Sequence, residues 1–163
     1  MRIGIDIGRV IINPRAEGRA DTSFLGASLQ DALHTPPALR SFEVIKGLVE
    51  LSEGCSYLIS KCGPSVQAKT RAWLDHHDFW KKTGFNPAHL FFCLKRREKA
   101  IFAHKLELDV MIDDRVDVHQ HLQDIVLHCL LFGEQRDTPP DWVVHVQDWT
   151  EVESWFEALG SKG

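Results

Sequence analysis

The sequence has no apolar run approaching the roughly 20 residues that a bilayer span requires, so it contains no candidate transmembrane helix. It begins MRIGIDIGRVII, with an Asp inside the apolar stretch and no small-residue cleavage site, and does not read as a secretory signal. These two absences lead to the expectation of a cytoplasmic protein without membrane contact. Neither sign of charge dominates: 19 Lys and Arg stand against 23 Asp and Glu, for a net charge of −4. That balance is neither the footprint of a polyanion-binding domain nor an acidic tail. Cysteine is scarce as well. Cys55, Cys62, Cys93 and Cys129 never form C-x-x-C, and three lie in or beside apolar runs, as buried thiols of a reducing compartment do. Cys62 has a loop-like context, Ser60-Lys61-Cys62-Gly63, but lacks an Arg at the spacing of a phosphate-binding Cys loop, so it is not expected to be a nucleophile. Internal repeats and low-complexity segments are missing too.

What is present is ordinary globular composition: 163 residues, 44% apolar and 26% charged, which excludes collagen-like or disordered character. One compact domain over 1–163 is expected, burying roughly two thirds of its unfolded surface without help from disulfide or metal.

Short apolar runs alternate with amphipathic stretches. Arg2 to Ile7 is apolar at nearly every position, as a strand buried on both faces is. Residues 13–40 carry Pro14, Gly18, Gly26, Pro36 and Pro37 with little periodicity, and read as a long excursion with a short helix near Phe24 to Leu33. A helix follows over Leu39 to Leu51, then a strand at Tyr57-Leu58-Ile59 ending in Ser60, and a helix from Ser65, the expected N-cap, to His77. His89 to Leu94 reads as a third strand, Arg96 to Leu106 as a basic helix, and Val110-Met111-Ile112 as a fourth strand ending in Asp113-Asp114. Val116 to Leu122 reads as a helix, Ile125 to Phe132 as a fifth strand, Trp142 to Val146 as a sixth, edge-like strand, and Glu151 to Leu159 as a closing helix. This alternation predicts an α/β fold: three layers, a Rossmann-like parallel sheet with helices on both faces.

In such a sheet, ligands bind beyond the carboxyl ends of the strands. Three expected strand ends carry chemistry: Asp6 to Gly8, Ser60-Lys61 and Asp113-Asp114, and Lys99 lies on the helix leading into the fourth strand. Together they offer carboxylates for a hard cation, a hydroxyl donor and an ammonium. Mg²⁺ takes a few carboxylates and keeps several waters, leaving room for a phosphate oxygen. The ammonium and hydroxyl suit the charge on a transferring phosphoryl group.

These stretches resemble the motifs of the haloacid dehalogenase superfamily of aspartyl-nucleophile hydrolases, in a branch with little cap. IGIDIGRVI resembles the first motif, LISKCG the second, and REKAIFAHKLELDVMIDDRVDV the third and fourth, in the family's order over residues 2 to 118. Each alone is a weak signal; the ordered set carries the resemblance. It implies that Asp6 is the nucleophile and a Mg²⁺ ligand, and that Ser60 binds the phosphoryl oxygens. It further implies that Lys99 neutralises nucleophile and phosphate, and that Asp113 and Asp114 hold Mg²⁺ together with the Gly8 carbonyl. Lys61 and Arg9 are added as candidate phosphate ligands. The departure is Gly8, where family phosphatases place an Asp as general acid, so an ordinary alkyl phosphate should be a poor substrate. The 13–40 excursion falls where the family inserts its cap; one this short suits a phosphorylated small molecule or an exposed phosphoryl group on a larger substrate.

Simpler readings stand beside these. Asp113-Asp114 could be an N-cap with an acidic first turn. Lys99 belongs to a basic run whose default is a solvated helix face, and Lys105 is its rival. His76-His77 and His119-x-His121 do not share a helix face, so zinc is not expected and solvated or core-edge histidines are. Trp residues near the C-terminus with Phe156 read as packing anchors. The basic cluster at 95–99 lacks interleaved aromatics, so nucleic acid is not an expected partner. Gly8 also allows a binding or regulatory protein that keeps the fold without turnover. The GIDIG pattern occurs in actin-like and sugar-kinase folds, which need a much longer chain.

Overall fold

The computed structural model describes residues 1–13 and 24–163. Six parallel strands form one sheet: β1 (Ile3–Ile5), β2 (Ser56–Lys61), β3 (Leu90–Cys93), β4 (Val110–Asp113), β5 (His128–Phe132) and β6 (Val144–Val146). Their order is β3-β2-β1-β4-β5-β6, that of a doubly wound Rossmann-like sheet. The chain leaves β1 toward β2 on one side and returns to β4 on the other, so the topological switch point lies between β1 and β4.

Strand alternation sorts the core into two layers. Ile3, Ile5, Leu58, Val110, Ile112 and Leu130 face one side, against α2 (Ser41–Leu51), α3 (Pro64–His76), α4 (Phe79–Thr83) and α7 (Trp149–Gly160). Tyr57, Ile59, Met111 and Cys129 face the other, against α5 (Lys99–Lys105) and α6 (Val116–Leu122). Gly4 points to this second side, where a Cβ would stand 2.6 Å from Leu108 Cδ1 and 2.7 Å from Met111 Sδ. Only glycine lets β1 approach that layer so closely.

The tryptophans behave as anchors. Trp149 packs on Phe132 with ring centroids 5.5 Å apart, and its indole N–H donates to the Val10 carbonyl at 2.8 Å, fixing the loop after β1. The Trp73 indole likewise donates to the Thr35 carbonyl at 2.8 Å. That bond holds the described part of the excursion, with α1 (Leu29–His34), against α3. The two ends of the excursion are tied by Asn13 N–H to Pro36 O at 2.9 Å and Ala38 N–H to Ile11 O at 2.7 Å. Pro14 and Gly18 lie outside the described residues.

Several boundaries differ from the sequence reading. α3 starts at Pro64 with Gly63 as its N-cap, so Ser65 is inside the helix. Pro at the first helical position supplies the fixed φ and needs no donor. The basic stretch is split: Arg96–Glu98 is a 3₁₀ turn, and α5 proper starts at Lys99. The fifth strand begins only at His128, because Ile125 and Leu127 are 40% and 76% exposed and belong to the turn before it. Helix α4 was not expected; its five residues are too few to show a periodicity. No helix among the described residues is long and apolar enough to cross a membrane.

Candidate active site

The register places the two acidic strand tips together. β1 pairs with β4 as Ile3↔Val110, Gly4↔Met111 and Ile5↔Ile112, so one further step sets Asp6 beside Asp113. The Asp6 N–H still donates to the Ile112 carbonyl at 2.9 Å, extending the ladder to this point. Both side chains have the parity of Gly4 and Met111, which is the face covered by α5 and α6. Neighbouring strands lie about 4.8 Å apart. One carboxylate oxygen each of Asp6, Asp113 and Asp114 indeed lies within 4.8 Å of the others.

Lys99, the first residue of α5, reaches down onto this pair. Its Nζ donates to Asp6 Oδ1 at 2.9 Å and to Asp113 Oδ2 at 2.6 Å. All three groups are nearly sealed: Lys99 is 3% exposed, Asp6 7% and Asp113 0%. Burial works to lower the Lys99 pKa, but the charges of Asp113 and Asp6 outweigh it and hold the ammonium above its usual range. Lys105, the rival, is exposed and lines a cleft with Glu107, Asp109 and Leu127.

Asp114 sits on the rim, joined to the Arg9 guanidinium at 3.1 Å. It does not cap α6: the N-cap is Arg115, with no side-chain hydrogen bond, which removes the simple helix-start reading of the acidic pair. Asp113 Oδ1 instead accepts the Arg115 N–H at 3.0 Å, which fixes the carboxylate's rotation. Arg9 itself has φ 64, the left-handed region that a non-glycine residue adopts at some energetic cost. Gly8, just before it, does not have positive φ.

Among the described residues, three carboxylates here face one buried ammonium and one partly exposed guanidinium. The surplus shows in the acids: burial, together with the Asp113 and Asp114 charges, raises Asp6 well above the carboxylate range despite Lys99. Burial first and Asp113 second raise Asp114. An all-oxygen, electron-rich donor set short of positive charge fits a hard divalent cation. The Gly8 carbonyl has no hydrogen-bond partner among the described residues.

The remaining candidates are less tightly bound in. Ser60 is 6% exposed near the end of β2 and shares the sheet face of Leu58, opposite to Asp6 by alternation. No hydrogen bond joins it to Asp6, Asp113 or Lys99 among the described residues. Its hydroxyl instead meets the Cys62 thiol, which also lies within the field of Asp6, Lys61 and Lys99. Lys61 is exposed at the tip of β2. Cys62 is 8% exposed rather than in an open loop, and burial pushes its thiol up, consistent with no nucleophilic role.

His119, expected as a solvated or core-edge histidine, takes the second form: it is fully buried, and its Nε2 lies 3.1 Å from the Asp113 carbonyl oxygen. Burial depresses its pKa, so the neutral ring donates to that oxygen and steadies the strand end behind the cluster. Its place on the apolar stripe Val118, His119, Leu122 was the available signal.

No family model and no curated protein sequence matches the chain. Solved structures do. A D,D-heptose 1,7-bisphosphate phosphatase from B. bronchiseptica, complexed with magnesium and phosphate, superposes with a TM-score of 0.68 at 12% identity, covering 98% of this chain and 99% of that one. A haloacid dehalogenase-like family hydrolase from Xanthomonas campestris superposes with a TM-score of 0.63 at 10% identity, covering 99% of this chain and 96% of that one. Over essentially its whole length, therefore, this chain has the α/β fold of haloacid dehalogenase-like hydrolases.

Proposed function

We propose that the chain is a Mg²⁺-dependent phosphohydrolase of the haloacid dehalogenase type, acting through Asp6. The observation that carries this reading is the buried Asp6–Lys99–Asp113 cluster at the switch point, with bonds of 2.9 and 2.6 Å. Asp6, Asp113, Asp114 and the Gly8 carbonyl would hold the Mg²⁺, which when bound neutralises and orients phosphoryl oxygen. Asp6 attacks phosphorus, the leaving oxygen departs with the electron pair of the broken P–O bond, and an aspartyl-phosphate remains. Water then attacks that phosphorus, freeing Asp6 as carboxylate and taking both its hydrogens into inorganic phosphate. Lys99, held charged, steers Asp6 and offsets the charge on the phosphoryl group. Ser60 donates its hydroxyl to a phosphoryl oxygen once substrate displaces the Cys62 contact, with Lys61 and Arg9 as further phosphate ligands. Arg9 must share itself with Asp114.

Gly8 sets the substrate preference. No side chain there protonates a leaving group, a form of help worth about 10²–10⁴-fold. Groups that leave without a proton, such as the carboxylate of an acyl phosphate, are favoured over alkoxides. A panel of acyl phosphates and phosphate esters, with and without Mg²⁺, tests this; turnover that persists in Asp6→Asn rejects the mechanism. Gly8 equally motivates a second reading, a binding or regulatory protein without catalysis. Calorimetric binding of Mg²⁺ or phosphate, with no turnover on any panel member, selects that reading, and rapid Asp6-dependent turnover removes it.

A further inference from the structure

The last rung of the β4–β5 ladder pairs Asp113 with Leu131, and one step further the register sets Asp114 opposite Phe132. At that step the strands are joined by a side chain. The Gln135 Nε2 donates to the Asp114 carbonyl at 3.0 Å and to the Phe132 carbonyl at 3.2 Å. Two carbonyl oxygens cannot bond each other, but a primary amide carries two N–H donors and serves both. Gln135 reaches them because the chain turns back after β5. Gly133 has φ 84, the left-handed region that glycine enters without a Cβ clash. Its N–H donates to the Val146 carbonyl at 2.8 Å, and its own carbonyl oxygen lies 2.7 Å from the His145 Nε2, so the turn is fastened to β6. Gln135 itself is half-buried.

The two adjacent acids are therefore held differently. Asp113 belongs to β4, and its carboxylate meets the Lys99 Nζ and the Arg115 N–H. Asp114 lies past the strand, and its carboxylate meets Arg9, on the loop after β1, at 3.1 Å. Its carbonyl is tied to β5 by Gln135. The carbonyl carbon is bonded to the same Cα that carries the side chain, so fixing that oxygen restrains the backbone rotation that would swing the carboxylate off the cluster. A ligand whose support is loosened must be ordered at the moment of binding, which lowers metal affinity. We infer that Gln135 is the positioning residue for Asp114: by extending the β4–β5 junction one step beyond its backbone ladder, it holds the Asp114 carboxylate ready for Mg²⁺. This rests on the Mg²⁺ site proposed above and adds to it a residue that acts through the backbone of a ligand.

Calorimetric titration with Mg²⁺ alone compares the wild type with Gln135→Met, Asp114→Asn and the double variant. Met has nearly the volume of Gln and no donor, and a thermal melt in metal-free buffer checks that each protein is folded. Gln135→Met is expected to weaken Mg²⁺ binding about 10–100-fold, the usual cost of losing the group that orients a metal ligand. Added to Asp114→Asn, which keeps Asp6 and Asp113, the same substitution should cost less than about threefold, because the carboxylate it positions is gone. A general structural role would instead weaken binding equally in both backgrounds. Should Gln135→Met not fold, Gln135→Asn takes its place: its amide sits on an arm one methylene shorter, which does not span both carbonyls, and it should lose affinity in the same pattern. Unchanged Mg²⁺ affinity in the folded variant, or an equal loss in both backgrounds, overturns the inference. A wild type that binds no Mg²⁺ removes the metal site first, and the role of Gln135 with it. Wild-type binding that Asp114→Asn weakens and Gln135→Met does not refutes Gln135 alone.

Discussion

Replacing Lys99 with Met should destabilise the protein strongly, and by an amount that depends on what else occupies the cluster. Met fills nearly the same volume, so little cavity forms and the effect is electrostatic. The ammonium bonds Asp6 and Asp113, and both partners are nearly inaccessible to water. Removing one partner of a buried ion pair leaves uncompensated charge and costs about 3–5 kcal/mol. For a chain of this length each kcal/mol shifts Tm by about 2–4 °C, so the melting temperature should fall by about 6–20 °C in metal-free buffer. Two further measurements identify the cause. Adding Asp113→Asn to Lys99→Met removes one of the stranded charges and should recover a substantial part of the loss, giving a non-additive double-mutant cycle. Adding Mg²⁺ should raise the Tm of Lys99→Met more than that of the wild type, because the variant has the larger surplus of carboxylate charge to neutralise. Denaturation followed by circular dichroism reads all three. A Lys99→Met protein as stable as wild type without metal, or a strictly additive cycle, would refute the electrostatic account of the cluster.

Other expectations follow from single residues. Gly8→Asp should raise turnover of alkyl phosphates by up to about 10²–10⁴-fold; an unchanged ester rate denies the missing-acid explanation. Gly4→Ala should lower stability by about 1–3 kcal/mol, because its Cβ meets Leu108 and Met111 inside van der Waals distance; a neutral urea midpoint would show that the layer repacks freely. Of the four cysteines only Cys55 is partly exposed, while burial pushes Cys93 and Cys129 up to about 11, so a thiol reagent at neutral pH should find one fast-reacting group in the folded protein. Burial also depresses His77, whose ring packs on Trp73 and lies 3.0 Å from the Leu33 carbonyl. The unfolded chain therefore binds that proton more readily. The His77 contribution is complete above pH ~6.5 and is lost as pH falls toward the depressed native value. His77→Gln should flatten the decline of the urea midpoint between about pH 7.5 and 5.5, and an unaltered slope would remove His77 as a cause.

What the sequence made legible, and what it hid, follows from where each signal is written. The buried central strands are nearly continuous apolar runs, so their tips stand out: Asp6 after Gly4-Ile5 and Asp113 after Met111-Ile112. Sheet order then follows from the alternation with helices, and the register converts two distant tips into neighbours. The sequence favours Lys99 over its rival Lys105 within one basic stretch, and the structure sets the Lys99 ammonium on Asp6 and Asp113, the helix starting at that residue after a 3₁₀ turn. For His119 the sequence left a solvated and a core-edge form open, because the two look alike until the partner, here a backbone carbonyl, is known. Ile125 and Leu127 misled for the opposite reason: exposed apolar residues next to a strand extend its apparent length.

The cluster also explains why the acids sit where a fold alone would not place them. Three carboxylates within 4.8 Å, one with no exposure at all, make the sheet less stable than apolar residues at the same positions would. The surrounding structure accepts this and reinforces it. The Arg115 amide fixes the Asp113 carboxylate, His119 braces the Asp113 carbonyl, and the Trp149 indole fixes the loop after Asp6. Such supports hold the acids in one arrangement without neutralising them, and among the described residues Lys99 and Arg9 together carry less charge than the three acids. A site whose geometry is secured while its negative surplus is kept is what the proposed Mg²⁺-dependent reading requires. Replacing Asp114 with Asn, which leaves Asp6 and Asp113 against Lys99 and Arg9, should therefore stabilise the metal-free protein while weakening its response to Mg²⁺. Calorimetric Mg²⁺ binding unchanged by that substitution would mean that Asp114 serves the fold rather than the ligand.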